Sequence, residues 1–355
     1  PGPLTTTETV KEVMLFDHCT WDDDYKEITQ KIRRDLLKLA QVEETEYTTV
    51  LMQGSGSFGV ESVLGSVVPK DGCVLLLSNG AYGERAAKMC SYYEIPCIHV
   101  KQDYNKTPDA NEAEELLKTH PEITHIMMIH SETTSGILND IESIGKLAEA
   151  YGKVFIVDAM SSFAGVEIPV KDWYIDFLIS SANKCIQGVP GFSFIIANRV
   201  LLMESKGRAR SLCLDLYDQW AGMEKDGKWR YTSPTHVVLA FEQAMKELEQ
   251  EGGIKARHAR YQKNMDTLVE NFENLGFRLY VDKAWQGPII ATFLYPEGKH
   301  FDFQEMYAYI KERGYAIYPG KLTDADTFRI GVIGEIYEED VLRLTEIMKS
   351  YMEQA

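Results

Sequence analysis

Lys184 and Asp158 are the two residues of this sequence whose types and positions could do chemistry together. Asp158 ends the apolar run KVFIVD, and Lys184, 26 residues later, follows the apolar run DFLISSAN. Both runs are typical of buried parallel strands, which present functional groups at their carboxyl ends. An amine and a carboxylate in one crevice suggest pyridoxal phosphate chemistry. The amine would form a Schiff base with the cofactor aldehyde, and the carboxylate would keep the pyridine nitrogen protonated.

Each of these two residues also has an ordinary explanation. A lone lysine is usually a solvated surface residue, and an aspartate at a strand end often caps a helix. The loop around the lysine, however, contains several small residues: Ser180, Ser181, Asn183, Gly188 and Gly191. Because so tight a loop is a poor place for a lysine that serves only solubility, the pair favours catalysis.

A loop rich in glycine and serine, QGSGSFGVE at 53–61, joins a predicted strand to a predicted helix. Its glycines fit the dinucleotide-binding pattern G-x-G-x-x-G. That pattern needs an acidic residue at the carboxyl end of the next strand, whereas Asp71 precedes its strand. The loop therefore favours a simpler site, in which the N–H groups of a helix N-terminus and the hydroxyls of Ser55 and Ser57 hold one phosphate. A purely structural turn is the alternative.

Two further segments follow strands at the same predicted edge of a sheet. Tyr82, in SNGAYGER, could stack on a flat heterocycle or simply pack within its loop. The run Ser131–Ser135 offers several hydroxyl groups. Hydroxyls placed there could hydrogen-bond a ring substituent, although such runs are equally common in loops and helix caps.

Arg329 lies within the apolar, strand-like segment DTFRIGVI near the end of the sequence. A buried guanidinium without a partner is costly, so this arginine needs one. Its planar fork suits a carboxylate or a phosphonate. A structural salt bridge to one of the 54 acidic side chains is the alternative.

The elements that must position these groups alternate between strands and helices over the first two thirds of the sequence. Strands are predicted near 49–52, 73–77, 126–129, 154–157, 177–179 and 192–197. Helices are predicted near 59–68, 83–93, 110–119 and 140–151. This alternation is typical of a mainly parallel sheet covered by helices on both faces.

After Pro234 the pattern changes to long polar helices and a shorter mixed segment. Helices are predicted near 236–251, 255–275, 302–313 and 338–352, and strands near 289–294 and 327–332. At 355 residues the chain exceeds the usual size of one core. We therefore expect a large domain over 15–240 and a small C-terminal α+β domain over 241–355, joined by the N-terminal segment 1–14.

Composition and charge argue against several classes of function. A net charge of −17 argues against binding to nucleic acid or anionic membranes, which needs clustered Lys and Arg. No apolar run approaches the ~20 residues of a membrane span, and nothing near the start is typical of a secretory signal. The six cysteines form no ligand-spaced cluster, and His125 and His130 point to opposite faces of a strand. We therefore expect reduced thiols, no metal site and a cytoplasmic protein.

Taken in order, these motifs resemble those of the fold-type I, class V aminotransferases over nearly the whole chain. Lys184, Asp158 and the segment FRIG are shared with many members of that family. The segments SSANKCIQGVPGF and LDLYDQW are typical of its 2-aminoethylphosphonate–pyruvate transaminase subgroup. The resemblance implies an α/β fold, with a large domain whose mainly parallel seven-stranded sheet is sandwiched by helices, plus a smaller C-terminal α+β domain.

The resemblance also implies roles for individual residues. Lys184 and Asp158 would be catalytic, and both would contact pyridoxal 5′-phosphate. The other cofactor-binding residues of the same chain would be Ser55, Gly56, Ser57, Tyr82, Thr133, Met160 and Asn183. Trp229 and Thr232 would reach the phosphate of the neighbouring subunit's cofactor, so activity would require a homodimer. Arg329 would bind the substrate anion.

The implied reaction moves the amino group of 2-aminoethylphosphonate to pyruvate, giving phosphonoacetaldehyde and L-alanine in phosphonate catabolism. Arg329 would then serve a phosphonate and a carboxylate in turn. The alternatives are alanine–glyoxylate or serine–pyruvate transamination on the same scaffold. A pyridoxal phosphate lyase such as a cysteine desulfurase would need a mobile cysteine loop, and no cysteine follows Cys213. A binding module without catalysis would have little use for Asp158 and Lys184 together.

Overall fold

The computed structural model describes residues 2–296, 301–320, 322 and 325–354. Its strands are β1 (Tyr47–Gln53), β2 (Cys73–Ser78), β3 (Cys97–Lys101), β4 (Ile123–Ile129), β5 (Ser131–Glu132), β6 (Ile137–Leu138), β7 (Val154–Asp158), β8 (Phe177–Ser181), β9 (Phe192–Asn198), β10 (Arg278–Leu279), β11 (Ile290–Leu294), β12 (Tyr318–Pro319) and β13 (Thr327–Gly331). Its α-helices are α1 (Glu8–Glu12), α2 (Asp23–Leu39), α3 (Gly56–Val67), α4 (Ala81–Tyr92), α5 (Ala110–Thr119), α6 (Ile141–Ala150), α7 (Arg199–Glu204), α8 (Leu216–Asp226), α9 (Thr235–Glu251), α10 (Gly253–Asn274), α11 (Phe303–Glu312) and α12 (Glu338–Gln354).

The large sheet has seven strands in the order β1-β9-β8-β7-β4-β2-β3. Strand β9 is antiparallel to both of its neighbours, and the other neighbouring pairs are parallel. The prediction of a mainly parallel seven-stranded sheet is confirmed. Strand β3 is not among the strands that the sequence predicts, because its segment CIHVK is short and none of its residues is fully buried at this edge of the sheet.

Helices cover both faces of the large sheet. Side chains alternate along its strands, so Phe155 and Val157 of β7 join one apolar cluster and Ile156 joins the other. Helices α2, α5, α6 and α9 pack into the first cluster, and α3, α4 and the start of α8 pack into the second. No helix in the described part of the chain is both long and apolar enough to span a membrane. The sheet is thus a buried layer whose carboxyl ends are fixed from both sides.

A second sheet, in the C-terminal region, has four antiparallel strands in the order β10-β11-β13-β12. It packs with α10, α11 and α12 around a core rich in phenylalanine, where the rings of Phe272 and Phe293 lie 5.0 Å apart. The fold class expected from the sequence is confirmed. Helix α10 contributes Tyr261 to the first large-sheet cluster and Met265 to this small core, so it connects the two regions. The domain boundary after residue 240 stays a prediction.

Candidate active site

Asp158 is the last residue of β7, at the carboxyl edge of the large sheet. It lies in register with Ile129 of β4 and Ile179 of β8. The carboxyl group is buried, and its Oδ1 accepts a hydrogen bond of 2.9 Å from the N–H of Met160. Burial raises the pKa of Asp158 to about 6, because the charged form loses its hydration, and the N–H bond opposes that rise. At neutral pH Asp158 is therefore a poorly solvated anion that a cationic or proton-donating partner would stabilise.

Lys184 lies in the loop between β8 and β9, and neighbouring side chains hold this loop in place. The N–H of Gln187 donates to the carbonyl oxygen of Lys184 at 2.7 Å. The Oε1 atom of Gln187 accepts hydrogen bonds from Tyr261 and Arg260 of α10, at 2.7 and 2.9 Å. Gln187 has a φ of +69°, which is uncommon for a residue with a side chain, so these contacts stabilise a strained turn. They fix the main chain that carries the lysine.

The loop before α3 presents a helix N-terminus to the same edge of the sheet. Ser55 is the N-cap residue, and its side chain makes no capping hydrogen bond. Gly56 lets the thioether of Met160 pack against the first turn, because a Cβ there would collide with it. The Oγ atom of Ser57 accepts a hydrogen bond of 3.0 Å from Nη1 of Arg85 in α4. Helix N–H groups beside hydroxyls and a guanidinium suit a phosphate.

A cleft of about 210 Å³ connects these groups. Nine of the twelve predicted site residues line it: Ser55, Gly56, Ser57, Tyr82, Thr133, Asp158, Met160, Asn183 and Lys184. Ser131 also lines the cleft, and its buried Oγ has no hydrogen-bond partner among the described residues. An unsatisfied buried hydroxyl is unfavourable, so a ligand with polar groups would stabilise the cleft.

The hydroxyl-rich segment after β4 combines a cleft residue with a helix cap. Thr133 lines the cleft, whereas Oγ1 of Thr134 accepts a hydrogen bond of 3.0 Å from the N–H of Ala81 at the start of α4. Glu132 is fully buried, and its Oε1 accepts from the N–H and the hydroxyl of Thr134 at 3.0 and 2.6 Å. Burial raises the pKa of Glu132. The capping role considered for this run is thus found at Thr134, and the ligand contact of Thr133 stays a prediction.

Arg329 of β13 is buried next to the cleft but does not line it. Its Nε donates to the carbonyl oxygen of Pro319 at 3.0 Å, and its Nη1 donates to that of Thr133 at 2.8 Å. Its guanidinium lies over the ring of Tyr318, 5.8 Å from the centroid. Within the described ranges it forms no salt bridge, so the structural ion pair considered above is not found there. Its hydrogen-bond partners among the described residues are neutral carbonyl groups, which suits a residue that binds an anion.

Trp229 and Thr232 do not line the cleft of their own chain. The indole of Trp229 is buried in the large core, where its Nε1 donates to Oγ1 of Thr29 at 3.3 Å. Thr232 is exposed, beside the exposed Tyr231. The family resemblance implies that both residues contact the cofactor of a neighbouring subunit, and this role stays a prediction.

Two features of the site are not among the residues that the sequence predicts. Arg85 lines the cleft, and its spacing of three residues from Tyr82 on a helix is the one signal that points to it. The N-terminal segment is the second feature. A Cβ on Gly2 would lie 2.9 Å from Cδ and 3.0 Å from Nζ of Lys184. No pattern in PGPLTT indicates this approach.

The sequence matches the aminotransferase class-V family over residues 18–343, a range that includes every residue of the cleft. The chain belongs to the class-V aminotransferase family. Two bacterial relatives of this class-V aminotransferase carry the name 2-aminoethylphosphonate–pyruvate transaminase. The one from Bacillus cytotoxicus is 56% identical, over 98% of this chain and 95% of its own. The one from Lysinibacillus sphaericus is 55% identical, over 99% of this chain and 96% of its own.

Solved structures share the fold of this class-V aminotransferase at lower identity. Alanine–glyoxylate aminotransferase from Nostoc sp. has a TM-score of 0.92 at 23% identity, covering 99% of this chain and 93% of that one. Pyridoxamine–pyruvate aminotransferase from Mesorhizobium loti has a TM-score of 0.90 at 22% identity, covering 100% of this chain and 92% of that one. At such identities the likeness concerns the fold alone.

Proposed function

We propose that this class-V aminotransferase transfers the amino group of 2-aminoethylphosphonate to pyruvate, as a pyridoxal phosphate-dependent homodimer of the cytoplasm. The observation that carries the proposal is the cleft, which brings Lys184, Asp158 and the N-terminus of α3 together. The names of the relatives at 55% and 56% identity support the choice of substrates. The products would be phosphonoacetaldehyde and L-alanine.

The donor set of the cleft fits pyridoxal phosphate. A protonated pyridine nitrogen would compensate Asp158, whose pKa burial raises to about 6. The N-terminus of α3, where Ser55 makes no side-chain capping hydrogen bond, suits the phosphate. The hydroxyl of Ser131, unpartnered within the described residues, offers a hydrogen bond to a further polar group of the ring.

When bound, the cofactor supplies an electron sink that weakens the C–H bond next to the substrate nitrogen. Asp158 keeps that sink effective by holding a proton on the pyridine nitrogen with its carboxylate. Nζ of Lys184 would move a proton from the substrate carbon to the C4′ carbon of the cofactor in the first half-reaction, and in the opposite direction in the second. The fixed loop around Lys184 keeps the amine within reach of that carbon.

Arg329 would bind the anionic end of each substrate. The donor carries a phosphonate and the acceptor a carboxylate, and the planar guanidinium can bond to two oxygens of either group. In the described residues this side chain has carbonyl rather than carboxylate partners, which supports such a role. One arginine can then serve both half-reactions in turn.

The dimer is supported by exposed apolar side chains. Leu15, Phe16, Trp21 and Leu212 are between 67% and 78% exposed, and burying such side chains against a second copy would stabilise a dimer. Thr232 lies on the surface, where it can reach a second copy.

Light scattering should give the mass of a dimer. Mixing inactive Lys184→Ala and Thr232→Ala chains should restore activity, because one site of the mixed dimer is intact; a mixture as inactive as its components would contradict shared sites.

The substrate proposal is tested by alanine formation from pyruvate with three donors run side by side, and by glycine formation from glyoxylate with alanine as the donor. 2-Aminoethylphosphonate should be preferred over serine and taurine, and over alanine assayed with glyoxylate as acceptor. A clear preference for serine or for alanine with glyoxylate would replace the substrate assignment and leave the cofactor assignment standing.

The cofactor proposal is tested by Lys184→Ala. This variant should lose the visible absorbance band of the cofactor–lysine bond and the transaminase activity. Lys171→Ala, which removes an exposed lysine paired with Glu46, is the matched control and should keep both. A band that persists in Lys184→Ala would show that another amine holds the cofactor.

A further inference from the structure

Arg85 is a cation at the cleft to which the proposed function gives no role. It lies in the second turn of α4, is exposed, and lines the cleft together with Tyr82. Its guanidinium carbon is 5.1 Å from the centre of the Tyr82 ring, and its Nη1 donates to Oγ of Ser57 at 3.0 Å. Arg85 therefore connects the first turn of α3 with α4 at the cleft.

The hydrogen bond to Ser57 uses only part of this guanidinium. Arginine has five N–H donors, and Ser57 Oγ is the one acceptor that Arg85 has among the described residues. The other donors are thus available to a ligand. Because Arg85 donates to Oγ of Ser57, the hydroxyl hydrogen of Ser57 is also free to point elsewhere. The two side chains can therefore donate to the same anion.

The charges of the cleft also favour an anion next to Arg85. A phosphate ester carries about −1.5 to −2 charges at neutral pH, whereas a helix N-terminus offers only about half a positive charge. Arg85 and Lys184 are the cationic residues among those that line the cleft in the described part of the chain. In the proposed function the amine of Lys184 reacts with the cofactor aldehyde, so it is not the group that binds the phosphate. In a chain of net charge −17, Arg85 is then the group that can compensate the phosphate.

We propose that Arg85 is a cofactor-binding residue that donates hydrogen bonds to the 5′-phosphate of pyridoxal phosphate, next to Ser57 and the first N–H groups of α3. This inference rests on the proposed function, because it needs pyridoxal phosphate in the cleft. The stacking of the guanidinium on Tyr82 keeps it at this position. The two arginines then bind different anions: Arg85 binds the cofactor phosphate, and Arg329 binds the anionic end of the substrate. Arg329 lies buried against carbonyl groups outside the cleft lining.

The test compares two ligands that differ only in the phosphate. The full chain, freed of cofactor, is titrated with pyridoxal phosphate and with pyridoxal, and binding is followed by absorbance. In Arg85→Gln the Kd for pyridoxal phosphate should rise by about 10–100-fold, the effect of a charge-assisted hydrogen bond, while the Kd for pyridoxal should change by less than about twofold. Lys88→Gln removes the same charge from an exposed position of the same helix, outside the cleft lining, and should change neither Kd.

Three results would overturn the role of Arg85 and leave the proposed function standing. The first is an equal loss of affinity for both ligands, or no loss, in Arg85→Gln. The second is a raised KM for 2-aminoethylphosphonate with unchanged cofactor affinity, which would make Arg85 a substrate ligand. The third is no added loss when Arg85→Gln is made in a Ser57→Ala background, which would mean that Arg85 acts only through Ser57. A wild-type chain that binds neither ligand would overturn the proposed function itself, and the inference with it.

Discussion

Nη1 of Arg329 donates a hydrogen bond of 2.8 Å to the carbonyl oxygen of Thr133, and this bond joins β13 of the four-stranded sheet to the turn between β5 and β6 beside the cleft. Thr133 lines the cleft, so an anion held by Arg329 would lie next to the groups that act on the substrate amine. The neutral carbonyl orients the guanidinium without cancelling its charge. The bond thus limits where the anionic end of a substrate can lie.

Arg329→Lys should impair both half-reactions. Lysine keeps the charge but loses the planar fork, so it cannot bond to the carbonyls of Pro319 and Thr133 and hold an anion in the same geometry. We expect kcat/KM to fall by about 10–100-fold for both substrates. Single-turnover absorbance measurements follow each half-reaction separately. Arg313→Lys, at an exposed arginine of the small domain, is the control; normal kinetics with alanine in Arg329→Lys would show that another residue binds the carboxylate.

Asp158→Asn should make the cofactor-free chain more stable at pH 8. The same substitution should abolish the transaminase activity of the enzyme with its cofactor. The pKa of Asp158 is raised from 3.8 to about 6, so its ionisation destabilises the fold. The stability present below pH ~4 is lost as the pH rises through ~6. Asparagine removes that loss, and the two chains should therefore differ in free energy of unfolding by up to about 3 kcal/mol at pH 8 and progressively less towards pH 4.

Urea unfolding at pH 5 and pH 8 measures this difference. Asp176→Asn is the matched control, because burial also raises the pKa of Asp176 to about 6 and its carboxylate lies away from the cleft, bonded to Phe155 and Asn198. It should show the same trend with pH and keep its transaminase activity. Equal stabilities of wild type and Asp158→Asn at pH 8 would mean that Asp158 is better solvated than the structure indicates.

Glu132→Gln should move the titration of Asp158 to lower pH. Burial is the main reason that the pKa of Asp158 is raised, and the nearby charge of Glu132 adds to it. Glutamine keeps an acceptor for Thr134 but removes that charge. The acidic limb of the pH–activity profile should therefore shift to lower pH, and a shift to higher pH would contradict the assignment.

Glu132→Ala should cost about 1–3 kcal/mol of stability, because the buried donors of Thr134 lose their acceptor.

The sequence predicts the large sheet well where strands are buried and parallel. Apolar runs such as those of β4 and β7 can only be core strands, and parallel strands bring their carboxyl ends to one edge. Asp158 and Lys184 follow from that rule, whereas Thr133 is singled out by the family resemblance; all three line the cleft. Strand β3 is missed because a half-exposed edge strand lacks the apolar run. Helix α8 is missed although Leu216, Trp220 and Met223 have helical spacing, a signal that was available.

The remaining parts of the site depend on contacts between distant segments. In the sequence, Arg85 cannot be distinguished from any solvated arginine of a helix. Its position at the cleft follows from the packing of α4 beside α3, where it donates a hydrogen bond to Ser57. The approach of Gly2 to Lys184 joins the first residues to a loop far along the chain. Local pattern carries no information about such approaches. The proposed contacts of Trp229 and Thr232 with a second copy come from the family resemblance and not from local pattern.

Gly56→Ala should weaken cofactor binding through Met160. A Cβ at position 56 would collide with the Met160 thioether, so this side chain must move, and its main chain carries the N–H that bonds to Asp158. Overpacking of this kind costs about 1–3 kcal/mol, so the Kd for pyridoxal phosphate should rise roughly 10-fold. Gly65→Ala, on the same helix but away from the cleft, is the control and should keep the wild-type Kd. The double variant Gly56→Ala/Met160→Ala should recover most of the affinity, because the smaller side chain at position 160 makes room for the new Cβ. Additive losses would show that the phosphate requires a glycine backbone at position 56 and not a particular position of Met160.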